Sequence, residues 1–423
     1  MIADDMGYSD AGCYGHPHIR TPNIDRLARE GMKFTHAFLT CSSCSPSRSS
    51  ITTGRYPHNT GAKELHQPLP ADQLVFAGLL KKAGYYTASA GKWHLGSAAK
   101  ENFDTVAEGG GPSGCGKWVE TLKNRPKNKP FFLWLAAIDP HRGYQPNTIG
   151  KPHGPDDAVV PPFLPDVAET RKDLAMYYDE VTRMDGYIGQ VLDELDRQGV
   201  SDNTFVLFLS DNGRPFPRCK TTIYDSGVRT PFVVRWPGKV GQGSVCHSLV
   251  SSLDIAPTVI ELVGLKQSPT FQGRSFAPLL ADPAASTHDH VFAEHNWHDY
   301  QAHKRSVRSK RYLYIRNAFP DLPGTPPADA VRSITYQAMR RLYADGKLPP
   351  EQSDCFVAPR SAEELYDVNI DPDQLLNVAA DPKYAKVLDE MRRVHEAWVR
   401  ETGDGVPADP TPDQFDRKTG KRL

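Results

Sequence analysis

Three carboxylates and an amide stand where an α/β sheet would gather them. Asp4 and Asp5 follow the short start Met1-Ile2-Ala3, and Ser210-Asp211-Asn212-Gly213 follows the apolar run Phe205 to Leu209. Open α/β sheets bind ligands beyond the carboxyl ends of their strands. Two such ends would bring Asp4, Asp5, Asp211 and Asn212 together. An all-oxygen, strongly anionic set suits Ca²⁺, or Mg²⁺, rather than zinc. Asp and Asn after a strand are also ordinary turn residues, so each pair alone says little.

Around them lie residues able to act as nucleophile, acid and cation. Cys44-Ser45-Pro46-Ser47-Arg48 is followed by Thr53-Gly54-Arg55. Gly91-Lys92-Trp93-His94-Leu95-Gly96 offers a lysine and a histidine two apart, Asp139-Pro140-His141 a second histidine, and Lys220 a second lysine. A lone lysine is usually a solvated charge, and a lone cysteine a small buried hydrophobe. The other cysteines, Cys13, Cys41, Cys115, Cys219, Cys246 and Cys355, bring the count to seven. Cys41 and Cys44 lie three apart with only serines between, too few ligands for a zinc site. The odd, scattered set is no disulfide scaffold, though it leaves room for one or two bridges.

In their order along the chain these strings resemble the formylglycine-dependent sulfatases of the alkaline phosphatase superfamily. The resemblance runs through Ile2 to Tyr8, Thr21 to Ala28, the Cys44 signature, the Gly91–Gly96 string, Asp139-Pro140-His141, Ser210 to Gly213, Lys220 with Tyr224 to Pro231, and Glu364-Leu365-Tyr366-Asp367. It implies that Cys44, and not Cys41, is oxidised to formylglycine by a separate generating enzyme. It implies a Ca²⁺ ion held by Asp4, Asp5, residue 44, Asp211 and Asn212, with Mg²⁺ as the alternative. Arg48, Lys92, His94, His141 and Lys220 are then catalytic. Lys92 and Lys220 would grip the sulfate oxygens, His141 would protonate the leaving atom, and His94 would take the proton that releases sulfate from the second hydroxyl of the hydrated aldehyde. A plain cysteine has no second hydroxyl, which is why the modification matters.

Within that family the chain most resembles the sulfamidase-like (heparan N-sulfatase-like) members. Ser42 to Arg48, Leu65-His66-Gln67, Val181 to Asp185, Asn212-Gly213 through Pro217, and Arg305 to Arg308 carry this likeness. Lys220 departs from it, standing where sulfamidases have Arg. The expected substrate is a sulfated sugar, N-sulfoglucosamine or an O-sulfated one, with His66, His295, His298 and Arg305 as candidate contacts. Two other readings stay open: a phosphonate or phosphodiester hydrolase of the same superfamily, and an inactive binder of sulfated glycans.

Elements must position these residues. Through about residue 280, apolar runs alternate with amphipathic stretches, the pattern of a mostly parallel sheet flanked by helices. Helices are predicted from Pro22, over Leu74–Ala83, Asp173–Arg197 and Ile255–Val263. Strands are predicted at Tyr86–Ala90, Phe131–Ala136, Phe205–Leu209 and Phe232–Trp236. The spacing predicts a catalytic α/β domain over 1–285 and a smaller α+β domain over 286–423. The latter has a strand at Tyr312–Ile315, a long loop over Pro320–Pro327, a terminal helix over Pro382–Glu401 and an extended, poorly ordered tail.

The chain has 423 residues, with 50 Lys and Arg against 51 Asp and Glu. That balance carries no signal for nucleic acid. Mean hydropathy is −0.52, and no apolar run approaches the ~18 residues of a membrane span. The start shows no basic segment and no apolar signal run, although members of the family are often exported. The expectation is a cytoplasmic protein as written, or a leader and part of the first strand ahead of Met1. With only Met1 to Ala3 before the carboxylates, the first strand should be short or absent and the metal site weakened.

Overall fold

The computed structural model describes residues 1–423. Its main body is an eight-stranded sheet built from β1 (Ile2–Ala3), β2 (Met32–Phe38), β3 (Tyr86–Gly91), β4 (Thr105–Glu108), β5 (Phe131–Ala136), β6 (Val206–Ser210), β7 (Phe232–Arg235) and β8 (Ser244–Ser251). The order is β4-β3-β5-β1-β6-β7-β2-β8. All pairs are parallel except those of β7 with β6 and β2. A second, antiparallel sheet of β9 (Val291–His295), β10 (Lys304–Arg308), β11 (Tyr312–Asn317) and β12 (Glu363–Asp367) runs in the order β12-β11-β10-β9. The expected division at 285/286 lies between the helix Ala277–Ala281 and β9.

One apolar cluster joins the two sheets: Val291, Ala293, Leu313, Ile315 and Tyr366 pack with Tyr224, Val228 and Phe38. The other face of the small sheet buries Val307, Tyr314 and Leu365 against Leu388 and Met391 of the terminal helix. Ala328, Val331, Tyr336 and Met339 return to pack with the long helix Ala168–Arg197. The chain after residue 285 therefore contributes to both bodies.

Several elements differ from expectation for identifiable reasons. The long helix starts at Ala168, five residues before Asp173, because its first turns are polar and the apolar periodicity begins only at Leu174. The terminal helix starts at Ala385 after a 3₁₀ turn at Pro382–Tyr384. The tail is extended but held: Trp297 Nε1 donates to Pro412 O at 2.8 Å, Gln301 N to Asp413 Oδ1 at 2.7 Å, and Arg417 pairs with Asp413. Strand β5 is buried only in its second half. Strand β1 is two residues long, and Phe131, Phe132 and Leu133 border a cavity of about 760 Å³ with Leu195, Phe205 and Trp236. None of the candidate site residues lines it. No helix is long and apolar enough to cross a membrane, and all seven cysteines are free.

Helix α1 (Pro22–Glu30) begins with Pro at its first position, as the sequence implies, but Thr21 gives it no side-chain cap. The Thr21 hydroxyl accepts from Gly12 N instead. The orphan amides of Asn23 and Ile24 donate to Asp185 of the long helix, at 3.1 and 2.8 Å to Oδ1. A buried carboxylate from another helix thus does the work of a cap. Asp185→Ala should cost about 2 kcal/mol, since charge-assisted bonds to buried amides are lost. A urea titration is expected to show a lower midpoint, with a smaller fall for Asp185→Asn, which keeps an acceptor oxygen.

Candidate active site

The site is built at the carboxyl ends of β1 and β6, which lie side by side with Ile2 paired to Leu209 and Ala3 to Ser210. Asp4 and Asp5 leave one strand, Asp211 and Asn212 the other, and all four are completely buried. Asp5 adopts the left-handed conformation, with φ 74°. Asp is among the few residues that tolerate it. The turn is held by Asp5 N donating to Asp211 Oδ1 at 3.2 Å and Met6 N to Ser210 Oγ at 2.8 Å.

Helix α2 (Cys44–Thr53) starts at the cysteine, and all ten of its residues are buried. Gly54, with φ 64°, closes it through its amide to Ser50 O. The positive end of the helix dipole therefore faces the acidic cluster. Cys44 Sγ lies 3.6 Å from Asp4 Oδ1 and 3.9 Å from Asp5 Oδ1, and accepts from Asn212 Nδ2 at 3.3 Å. Burial first, together with the neighbouring Asp4 and Asp5 and against Lys220 and Lys92, pushes the thiol up to about 12. As a thiol it is a poor nucleophile.

Each buried carboxylate has its own cation. Arg48 Nε donates to Asp211 Oδ2 at 2.7 Å, Lys220 Nζ to Asp5 Oδ2 at 2.6 Å, and Lys92 Nζ pairs with Asp4. Burial alone would raise the Asp4 carboxyl, but Lys92, His141, Arg48 and Lys220 override it and hold it well below the usual range. Asp211 goes the other way. Burial, with the like charge of Asp4, outweighs Arg48 and lifts it to about 6. Asn212 Oδ1 is buried with no donor. Three carboxylates and an orphaned carbonyl oxygen fit a hard, oxygen-preferring cation, and Asp4, Asp5 and Cys44 can each offer one atom to a common point.

The histidines take distinct places. His141 Nδ1 meets Arg142 O at 3.0 Å, which assigns the proton to that nitrogen and leaves Nε2 facing Asp5 Oδ2 at 3.9 Å. Its segment is anchored by Asp4 N donating to Asp139 O at 3.0 Å and by the Arg183 guanidinium on Asp139. His94 Nε2 lies 2.8 Å from His66 Nδ1. Burial, then Lys92 and Arg48, pushes His94 down to about 2, so its ring is neutral. The backbone of His66 donates to Ser45 Oγ at 2.8 Å, and His298 Nδ1 lies 2.7 Å from Ser43 Oγ. Both therefore flank the start of α2.

Two expected contacts are not brought there. Arg305 is 3% exposed. Its guanidinium is taken by Asp404 and lies 3.6 Å from Glu294, so it ties the terminal segment to the small sheet instead of facing a ligand. His295 sits at the end of β9 opposite Lys304. Sequence reasoning missed Asp329, whose Oδ2 lies 3.8 Å from His141 Nε2. Asp5, His141 and Asp329 form a compact group. Asp329 follows a Pro-rich loop more than 180 residues after His141, and no spacing signal marks it.

Removing one member of a buried ion pair strands the other. Arg48→Met should therefore cost about 3 kcal/mol or more, read as a fall in Tm. The double variant Arg48→Met/Asp211→Asn should recover much of that loss.

A family model for sulfatases matches residues 1–113 and 116–265, and one for the C-terminal part of N-sulphoglucosamine sulphohydrolase matches 218–319. Human N-sulphoglucosamine sulphohydrolase is 32% identical over 96% of this chain and 90% of its own. An ulvan-active sulfatase of Formosa agariphila is 30% identical over 96% of this chain and 74% of its own. Among solved structures, one in complex with its substrate D-glucosamine-2-N,6-O-disulfate superposes with a TM-score of 0.72 at 20% identity, covering 96% of this chain and 98% of its own. The phosphonate monoester hydrolase of Agrobacterium radiobacter superposes with a TM-score of 0.72 at 19% identity, covering 95% of each. At these identities the superpositions establish the fold.

Proposed function

Since the chain belongs to the sulfatase family, hydrolases of sulfate esters and sulfamates, we propose that it removes sulfate from a sulfated sugar, with N-sulfoglucosamine as the first candidate. One observation carries the reading: Cys44 opens a buried helix against three carboxylates, each paired with its own cation. Asp4, Asp5, Asp211 and Asn212 would hold Ca²⁺, and a formylglycine made from Cys44 by its generating enzyme would supply, as its hydrate, the oxygen nucleophile that a bound cation makes easier to ionise.

The chain's own residues do the rest. Lys92 and Lys220 stand beside Asp4 and Asp5, where the negative charge of a bound sulfate group would need neutralising. Arg48 balances Asp211 and braces the start of α2. His141 presents Nε2 towards the site between Asp5 and Asp329 and acts as general acid when both ring nitrogens carry a proton. His94 is neutral and hydrogen-bonded to His66, and as the candidate base it would gain basicity once the charge of a bound sulfate offsets Lys92 and Arg48.

The likeness to the human enzyme's C-terminal part supports an N-sulfated sugar. The likeness to an ulvan-active sulfatase favours the second reading, an O-sulfated polysaccharide. Asp329 bears on the choice. The sulfamate nitrogen carries a hydrogen that a carboxylate 3.8 Å from the general acid can accept, and one proton from His141 then leaves it as an amine, whereas the bridging oxygen of an O-sulfate offers no such donor.

Released sulfate is the assay, with Ca²⁺ and a panel of N- and O-sulfated monosaccharides and a phosphonate monoester. Turnover should vanish in Cys44→Ala and on chelation, and return with Ca²⁺. Preferential turnover of the phosphonate would overturn the reading. Asp329→Asn should lower kcat/KM for N-sulfoglucosamine about 10-fold, a charge-assisted bond being worth about 1.5–3 kcal/mol, and should change O-sulfate turnover less.

A further inference from the structure

A second polar cluster lies where the two sheets meet, away from the carboxylates. Lys304 on β10 and His295 on β9 are direct cross-strand partners, so their side chains share one face of the small sheet. Lys304 Nζ makes no hydrogen bond or ion pair, while both ring nitrogens of His295 are buried without a partner. Arg218 is buried too. Its Nη2 donates to Gln374 O, its guanidinium stacks 3.8 Å from the Tyr224 ring centre, and its Nη1 is unpaired. Arg360 adds a further cation.

The nearby acids are already used. Glu364 Oε2 accepts from Tyr224 and Tyr366, both at 2.7 Å, and Asp354 Oδ1 accepts from Arg360 at 2.8 Å. Arg360 is thus balanced by Asp354, with Glu364 Oε1 3.9 Å away, and Lys304 and Arg218 are left without a carboxylate of their own. Burial, then Arg360, with Arg218 adding to it, pushes the Lys304 ammonium down to about 7. Buried polar groups are almost always satisfied, and a set of unsatisfied donors carrying surplus positive charge calls for an oxyanion.

We propose that Lys304, His295 and Arg218 form a second anion site, which holds a further sulfate or carboxylate of the substrate chain. The segments that build it also build the catalytic site. Arg218 lies two residues from Lys220, and His295 three residues from His298, the ring beside Ser43. Its link to substrate rests on the sulfated-sugar reading. The oxyanion chemistry is common to a substituent of the sugar and to free sulfate.

The test compares the metal-loaded wild type with Lys304→Gln. One arm measures KM and kcat for a mono-anionic sulfated sugar and its counterpart with a second sulfate. The other measures the rise in Tm with inorganic sulfate. In the wild type the second sulfate should lower KM. Lys304→Gln should remove most of that advantage, about 10-fold, with kcat for the doubly charged sugar changing less than KM. A Lys304-dependent part of the sulfate-induced rise in Tm, with the KM ratio unmoved, would assign the site to free sulfate and overturn the substrate link. An unmoved KM ratio with no Lys304-dependent rise would overturn the site altogether. Lys304→Gln removes a half-buried charge that has no ion-pair partner, so its Tm without sulfate should equal or exceed that of the wild type, and a folding defect cannot mimic the result. A wild type inactive on every sulfated sugar would sink the sulfatase reading, and the Tm arm would still decide the anion site.

Discussion

The structure turns on burying three carboxylates within a few ångströms of one another. Asp4, Asp5 and Asp211 are fully enclosed, and like charges in a low-dielectric interior repel strongly. The fold answers with one cation for each: Lys92 from the end of β3, Lys220 from the loop after β6, and Arg48 from the first turns of α2. These come from three separate segments, so the acidic cluster can be closed only when the sheet, the helix and the loop are all in place. The site is as much a constraint on folding as a product of it.

That constraint explains the route of the chain after the large sheet. The smaller sheet packs through Tyr366, Leu313 and Ile315 onto Tyr224 and Val228, behind the loop that carries Lys220. From there the chain returns to deliver His298 beside Ser43 and Asp329 beside His141. The large sheet supplies the charge, and the later segments supply groups at its rim, where a leaving group or the rest of a substrate would lie.

The parts legible in the sequence are those that are contiguous. Cys44 through Arg48, Gly91 through Gly96 and Asp139 through His141 each form a string, and the structure brings all three to one place. Strand β5 and the helix after Ser252 could be read from periodicity because their apolar pattern coincides with their boundaries. What could not be read depends on long-range pairing. Asp185 caps a helix more than 160 residues away. The antiparallel direction of β7 leaves no trace in a strand of three apolar residues and an arginine. Arg305 looked like a ligand contact and is consumed by Asp404, because an arginine's partner is chosen by the tertiary fold. Asp329 follows a stretch that carries no periodic signal.

The two-residue β1 holds its carboxylates through backbone hydrogen bonds on both sides. Although only Ile2 and Ala3 count as strand, both edges of the segment are engaged. Ala137 N donates to Ile2 O at 2.8 Å, and Asp4 N to Asp139 O at 3.0 Å. On the other side, Leu209 N donates to Met1 O at 3.2 Å and Asp211 N to Ala3 O at 3.1 Å. The carboxylates are thus fixed by a ladder on either hand and by the Asp5 amide on Asp211. The cavity bordered by Phe131 and Leu133 lies at the other end of the strand. A packing defect there lowers stability through lost burial and dispersion. It leaves the positions of Asp4 and Asp5 to the hydrogen bonds that set them.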